Sequence, residues 1–359
     1  MKLKTFIPAL LALLVAGGCI IDPPLHLRQA LKTIVKVIWK ADVYPDGQKP
    51  DGVTFYIFRD GDFYQRHTTA DVDSCQISLP PGRYRVYMIS QSPEEFWTME
   101  FNDMDSFDNA NARLNETEVS WLTPDTDSPV VVNPELFSVG VSDEFELTQE
   151  MLDKFEGGGF MSPDGDGFMS PDGDGYIRIF TLRIPITPMS AVSQFWVSIY
   201  SANADMLRSV HAATSGMART FYLTQGTTGP EECTQVMSDW TLVIDDPETK
   251  IGHLDTRITT FGLPRGEMPS IYRDSTLNVA TLLVDNKTVE RYSFFVGNKI
   301  YLDDPPPDGY LHLYRLILGT MENPVITPSI VVPEGDEAAS GFGVLVNGWT
   351  NGDDVNVDM

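Results

Sequence analysis

The chain has 359 residues, with 51 Asp plus Glu against 25 Lys plus Arg and a formal net charge of −26. A surface this acidic repels nucleic acid and anionic lipid headgroups, which argues against both as partners. The length exceeds what one typical core supports and suggests two domains, while 42% hydrophobic and 21% charged residues is the ordinary balance of a globular chain.

In chain order, the first stretch is the most telling about location. Lys2 and Lys4 precede an apolar run from Phe6 to Val15, and the small residues Ala16, Gly17 and Gly18 lead directly into Cys19. A charged start, a short apolar core and a small-residue exit mark a signal peptide over 1–18, and the run is too short to span a bilayer. Small residues just before a cysteine also fit a bacterial lipobox, although Ala16 stands where leucine is usual. In that reading Cys19 is acylated, with chains such as palmitate, and attaches the protein to the outer membrane. Several acyl chains hold for long periods where one holds weakly. Loss of Lys2 and Lys4 on cleavage takes the formal charge from −26 to −28. Residues 19–30 read as a lipidated tether in which Pro23 and Pro24 prevent helix. No acidic run follows Cys19, which leaves the membrane face open.

From residue 31 the pattern is β. Thr33, Val35, Val37 and Trp39 alternate with Ile34, Lys36 and Ile38 across a strand predicted over 31–43. Tyr44-Pro45-Asp46-Gly47 is a turn, Val53–Arg59 a strand, Asp60-Gly61 the next turn, and Asp62–His67 the return. Cys75–Leu79, Pro80-Pro81-Gly82 and Arg83–Ser90 read as strand, tight turn and strand, with Tyr84, Val86 and Met88 pointing one way. Further strands are predicted at 117–122, 130–132 and 136–139. Short strands at this spacing form an antiparallel sandwich, assigned to 31–147. Residues 148–175 are predicted to be a linker, opening with a short helix over 148–155 that Thr148 caps. A second β-sandwich over 176–359 is predicted from strands at 176–189, 195–200, 219–223, 240–244, 254–260, 277–284, 292–296, 299–302, 310–318 and 342–346. The three prolines inside Asp303–Gly309 must break any strand there. Residues 355–359 could add an edge strand.

Inside the linker, Phe160–Gly167 is followed by a perfect copy, Phe168–Gly175. The repeat sets Asp164, Asp166, Asp172 and Asp174 close together on glycine-rich turns. Calcium, which takes six to eight oxygens, is the one cofactor this arrangement suggests. Neither copy carries the twelfth-position glutamate of an EF-hand, and Ser-Pro-Asp-Gly is also simply a turn former. Cys75 and Cys233 could pair in an exported protein, or Cys75 could be a small buried strand residue.

Signatures of catalysis are absent: no Gly-x-Ser-x-Gly, Ser-x-x-Lys, Walker loop, Gly-x-Gly-x-x-Gly or His-Glu-x-x-His occurs. The five histidines, His26, His67, His211, His253 and His312, are scattered, and no catalytic residue is nominated. Trp39, Trp196 and Trp240 sit in alternating runs and are expected in the core. Trp97 follows Pro93-Glu94-Glu95-Phe96 and is the expected exposed contact, which keeps a carbohydrate-binding surface lipoprotein of a glycan-uptake system as the second reading.

Several of these stretches carry a resemblance. Cys19 with its short tether, Trp39–Phe58 with its turn, Leu79-Pro80-Pro81-Gly82-Arg83-Tyr84-Arg85-Val86, Ser215-Gly216-Met217-Ala218 and Thr260-Phe261-Gly262-Leu263 resemble the fimbrillin-like lipoproteins of Bacteroidetes, and most closely an uncharacterised lipoprotein family allied to them. The resemblance implies two tandem transthyretin-like antiparallel β-sandwich domains and a non-enzymatic role as a fimbrial structural, anchor or adhesion subunit. It further implies contact with other fimbrial subunits by β-strand addition. Arg28 precedes the first strand and Lys49 is followed by Pro50, which favours a tethered subunit over a cleaved shaft pilin.

Overall fold

The structure is a computed structural model that describes residues 31–40, 43–44, 47–122, 128–151, 181–267, 273–303, 305–307 and 309–333. The expected signal peptide, Cys19 with the expected tether, the duplicated loop with Asp164, Asp166, Asp172 and Asp174, and the expected strands beyond residue 333 lie outside the described residues. The regular structure of the described residues is β apart from short turns of helix. In chain order the strands are β1 Leu31–Val37, β2 Val53–Arg59, β3 Asp62–Thr69, β4 Ser74–Leu79, β5 Gly82–Ser90, β6 Met99–Asn102, β7 Asn111–Leu114, β8 Val130–Val131, β9 Ser138–Val141 and β10 Phe145–Leu147. Then come β11 Thr181–Ile186, β12 Met189–Ser190, β13 Ser193–Ser201, β14 Leu207–Ala218, β15 Thr220–Tyr222, β16 Thr227–Thr228, β17 Glu232–Met237 and β18 Thr241–Asp246. The last are β19 Ile251–Thr260, β20 Thr276–Leu283, β21 Val289–Phe295, β22 Tyr301–Asp303 and β23 Leu313–Leu318.

These strands form sheets of order β11-β1-β4, β12-β9-β5-β2-β3, β18-β19-β13-β23-β22, β21-β20-β14-β17-β8 and β16-β15-β7-β6. The strand pairs β13–β23 and β8–β17 are parallel, while β2–β5, β2–β3, β13–β19, β14–β17 and β14–β20 are antiparallel. The described residues fall into two compact units, neither continuous in sequence: one takes those within 31–35, 76–83, 145–151 and 181–184, the other those within 36–75, 84–144 and 185–333. The pairs β12–β9, β15–β7 and β17–β8 each join strands from either side of the expected linker at 148–175.

The smaller unit buries Thr33, Val35, Ile77, Leu79, Leu147 and Ile184. At its residues 148–151, Thr148 Oγ1 accepts from Met151 N at 3.3 Å at the start of a helical turn. In the larger unit one buried cluster runs from Tyr56 to Ile326. Phe137 is its hub, fully buried, with ring centres of Phe96, Phe101, Phe221 and Phe261 between 5.7 and 6.5 Å away, all steeply tilted. Edge-to-face packing of this kind adds about 0.5–1.5 kcal/mol per pair to the burial of the rings.

Two strands show how sequence becomes layer. β13, Ser-Gln-Phe-Trp-Val-Ser-Ile-Tyr-Ser, alternates buried and half-buried along its whole length, so one face meets the core and the other meets water. β14 is buried at nearly every position. It lies between β20 and β17, and its register with β17 slips between Thr214 and Met217. At that bulge Gly216 has φ +77°, and a Cβ there would lie 2.1 Å from Ser275 Oγ. The bulge turns the strand so that Ala218 N donates to Gly262 O at 2.9 Å, joining two of the motifs singled out in the sequence. Arg273, itself buried, donates to Gly216 O at 2.9 Å and to Glu267 at 2.6 Å. Close by in sequence, buried Arg219 pairs with Glu116 at 2.7 Å and Glu231 at 2.9 Å.

Three expectations need correction. Residues 117–122 are a turn-rich segment instead of a strand, with one isolated bridge between Glu116 and Val131. Cys75 and Cys233 are free, buried thiols. Cys75 sits on β4 and Cys233 on β17, in different sheets, and Cys233 Sγ instead donates to Met217 O at 3.3 Å. Trp196 is on the outer face of β13, not in the core. The guanidinium groups of Arg315 and Arg257, from the strands on either side, lie 3.8 and 4.3 Å from its ring centre. Charge on both neighbours makes that face the solvated one.

Candidate functional site

The loop between β5 and β6 is built around a presented indole. Ser92 begins it in extended conformation, and Pro93 occupies the first position of the 3-10 turn Pro93–Glu95. Arg66 on β3 donates to both carboxylate oxygens of Glu94 at 2.5 and 2.6 Å and to Ser92 Oγ at 2.8 Å. Ser92 Oγ in turn donates to Glu94 Oε2, and the bonds from Arg66 first and Ser92 second pull the Glu94 carboxyl down to about 2. Phe96 then turns inward against Phe101 and Phe137.

Trp97 follows, and its side chain is 85% exposed. Its backbone is not free. Trp97 N and Thr98 N donate to Glu135 Oε2 at 2.9 and 3.1 Å, and Thr98 Oγ1 donates to the same oxygen at 2.9 Å. Asn115 Nδ2 donates to Trp97 O at 2.9 Å, and Asn115 N to Thr98 O at 3.0 Å. One face of the loop is therefore fixed into the fold while the indole stands in water. The exposure was legible in the sequence, from the proline and the two glutamates before it. The clamp was not, because Glu135 and Asn115 are distant in sequence and carry no motif.

The remaining tryptophans behave differently. Trp240 is buried and donates to Met237 O at 3.2 Å, as expected of a core residue. Trp39 is half-buried and donates to Val72 O at 2.9 Å. Trp121 is half-buried over the ring of His211, at 5.7 Å between centres. Trp121, Ser209, His211, Thr281, Val289 and Arg291 line a shallow recess on the β21-β20-β14 face. Burial pushes His211 down to about 4, so it is neutral at physiological pH.

His253 lies between two carboxylates, with Nδ1 2.7 Å from Asp245 and Nε2 3.5 Å from Asp255. Among the described residues no group of three or more His, Cys, Asp or Glu could hold a metal ion. The Cys75 thiol is pushed up to about 12 by burial, and burial raises Cys233 as well, so both are held as neutral thiols. Cys19 and the four linker aspartates lie outside the described residues, so no geometry bears on them. Among the described residues no helix is long and apolar enough to cross a membrane.

The fold defines an all-β protein of the sandwich class. Residues 27–239, more than half of the chain, match a family described as a domain of unknown function (DUF5119), and the chain belongs to that family. A solved structure of a candidate adhesin from Bacteroides ovatus is similar over 86% of this chain and 96% of that one, at 14% identity and a TM-score of 0.50. The fimbrial anchor protein Mfa2 from Porphyromonas gingivalis is similar over 80% and 90%, at 12% identity and a TM-score of 0.45. A candidate polysaccharide-binding protein from Bacteroides thetaiotaomicron is similar over 81% and 92%, at 11% identity and a TM-score of 0.45. No curated protein matches the chain.

Proposed function

We propose that this chain is a non-enzymatic, adhesion-type protein of the cell envelope, held at the outer membrane by acylated Cys19 and associated with fimbriae as a fixed subunit. The observation that carries the reading is the β arrangement it shares with a candidate adhesin across 86% of its length. The basic, apolar and small-residue sequence ending at Cys19 supplies the anchor. Subunits of this kind contact one another by adding a strand to a sheet, and β3, β18, β21 and β22 stand at sheet ends where a strand could be added.

Sheet topology sharpens the choice between anchor and shaft. β1 is the middle strand of β11-β1-β4, and β2 is flanked by β5 and β3. A cut after Lys40 would leave a strand-wide groove between β11 and β4. A cut after Arg59 would also remove β2, which is buried at six of its seven positions. A fixed subunit keeps both strands.

The test is the intact mass and N-terminal sequence of the protein taken from native membranes. A chain beginning at acylated Cys19 is expected. A chain beginning between residues 41 and 62 would overturn the anchor reading and make this a polymerising pilin.

A further inference from the structure

We propose that the recess beside Trp121 on the β21-β20-β14 face takes the carboxylate of an acidic sugar, with Arg291 as its anion contact. This gives the adhesion-type reading a ligand class and rests on that reading.

The strand registers build the recess. His211 on β14 pairs with Ala280 on β20, which pairs with Arg291 on β21. One step along, Ser209 pairs with Leu282, which pairs with Val289. Two rows of side chains therefore lie next to each other on one face. In the first row a small residue separates two long ones, and two strand spacings set the backbones of His211 and Arg291 about 10 Å apart. The dip over Ala280 and Leu282, both buried, is the floor. The half-buried indole of Trp121, with its centre 5.7 Å from that of the His211 ring, walls the β14 side. The recess holds about 250 Å³, part of it open to solvent, which suits one acidic group and the edge of the ring that bears it.

Three features select the ligand. The first is charge. Arg291 is exposed, no carboxylate lines the recess, and none pairs with Arg291 among the described residues. On a chain of net charge −26 that is a local exception, and a guanidinium holds a carboxylate through two parallel hydrogen bonds. The second is Ser209, only 4% exposed, whose Oγ has no hydrogen bond among the described residues. A buried hydroxyl is ordinarily paired, and a ligand rich in oxygen acceptors would pair this one. The third is shape. Indole and imidazole are flat walls that suit the C–H face of a pyranose, and a uronic acid carries its carboxylate directly on such a ring. An acidic side chain of a protein partner carries its carboxylate on a flexible stem and brings no ring to these walls.

The test uses the purified full chain with tri-galacturonate as the acidic probe, maltotriose as the uncharged probe and N-acetyl-tetra-aspartate as the peptide probe, read by calorimetry. Tri-galacturonate is expected to bind about tenfold or more tighter than either of the others. Arg291→Gln should weaken that binding about tenfold or more, and Arg291→Lys, which keeps the charge without the paired bonds, should fall between the two. Trp121→Phe should keep binding within about threefold, since a phenyl ring still offers a flat wall. Ser209→Ala should weaken it about threefold yet melt with the parent, because Oγ has no partner to lose. If Arg291→Gln melts below the parent, Arg291→Lys carries the test. Undiminished binding by the Arg291 variants, binding of maltotriose or the peptide as tight as that of tri-galacturonate, or no binding of tri-galacturonate would each overturn the proposal. The last result in a chain that begins at acylated Cys19 would remove the sugar contact and leave the adhesion-type reading in place.

Discussion

β13 and β14 are consecutive strands of one unit, and they solve different problems. β13 has a wet face and a dry face, so Phe195, Val197 and Ile199 are fully buried while Trp196 between them stands outside under two guanidinium groups. β14 is covered on both faces, with the segment carrying Trp121 over His211 on one of them. The first strand tolerates any outward residue that suits water. The second must place polar groups inside the protein: Gly216 O at the bulge accepts from buried Arg273 and Ser215 Oγ accepts from Thr276 N, while Ser209 Oγ is buried without a hydrogen bond among the described residues.

That contrast can be broken most severely at the bulge. Gly216→Val would place a β-branched side chain at positive φ and against Ser275, and a loss of roughly 4 kcal/mol is expected from strain plus overpacking. Chemical denaturation measures it, and a loss below 1 kcal/mol would mean the bulge is not needed. On β13 the comparison is between neighbours. Phe195→Ala should cost about 3–5 kcal/mol as a core cavity. Trp196→Ala should cost only about 1–2 kcal/mol, mainly lost arginine contacts. Equal losses would mean the outer face is packed after all.

The pH dependence falls between these. His211 is held down at about 4 when folded, against 6.5 for the free side chain. The unfolded chain therefore binds the extra proton first. Stability from this residue is complete above pH 6.5 and is lost as pH falls toward 4, by roughly 3 kcal/mol in all. His211→Gln should flatten the melting temperature across that window. The smallest effect is at the loop: Trp97→Ala should change stability by less than about 0.5 kcal/mol.

The same contrast explains what could be read from sequence. β2 is found with its true bounds because turns flank a strongly apolar run. β13 and β19 announce themselves by period two. β14 was missed: Leu-Arg-Ser-Val-His-Ala-Ala-Thr-Ser-Gly-Met-Ala has no alternation, since both faces are buried, and too few β-branched residues to stand out. The short strands β6 and β7 are not among the expected ones: at four residues each they show too little alternation to read, and β7 has as one partner β15, more than a hundred residues away. Trp196 was misplaced for a related reason, as a large aromatic in an alternating run looks inward until the arginines opposite it are known. The Ser215–Ala218 and Thr260–Leu263 motifs were visible, but only the fold reveals that they meet.

The two unpaired thiols also mean that this fold contains its own clock. Cys75 and Cys233 are inaccessible and protonated while their sheets are closed, so a thiol reagent can reach each only when its own sheet opens. Their labelling rates would time the opening of β11-β1-β4 and of β21-β20-β14-β17-β8 separately, in the native protein and without introducing a probe. Nor does either closure depend on oxidation: the β-structure should form alike in reducing and oxidising surroundings.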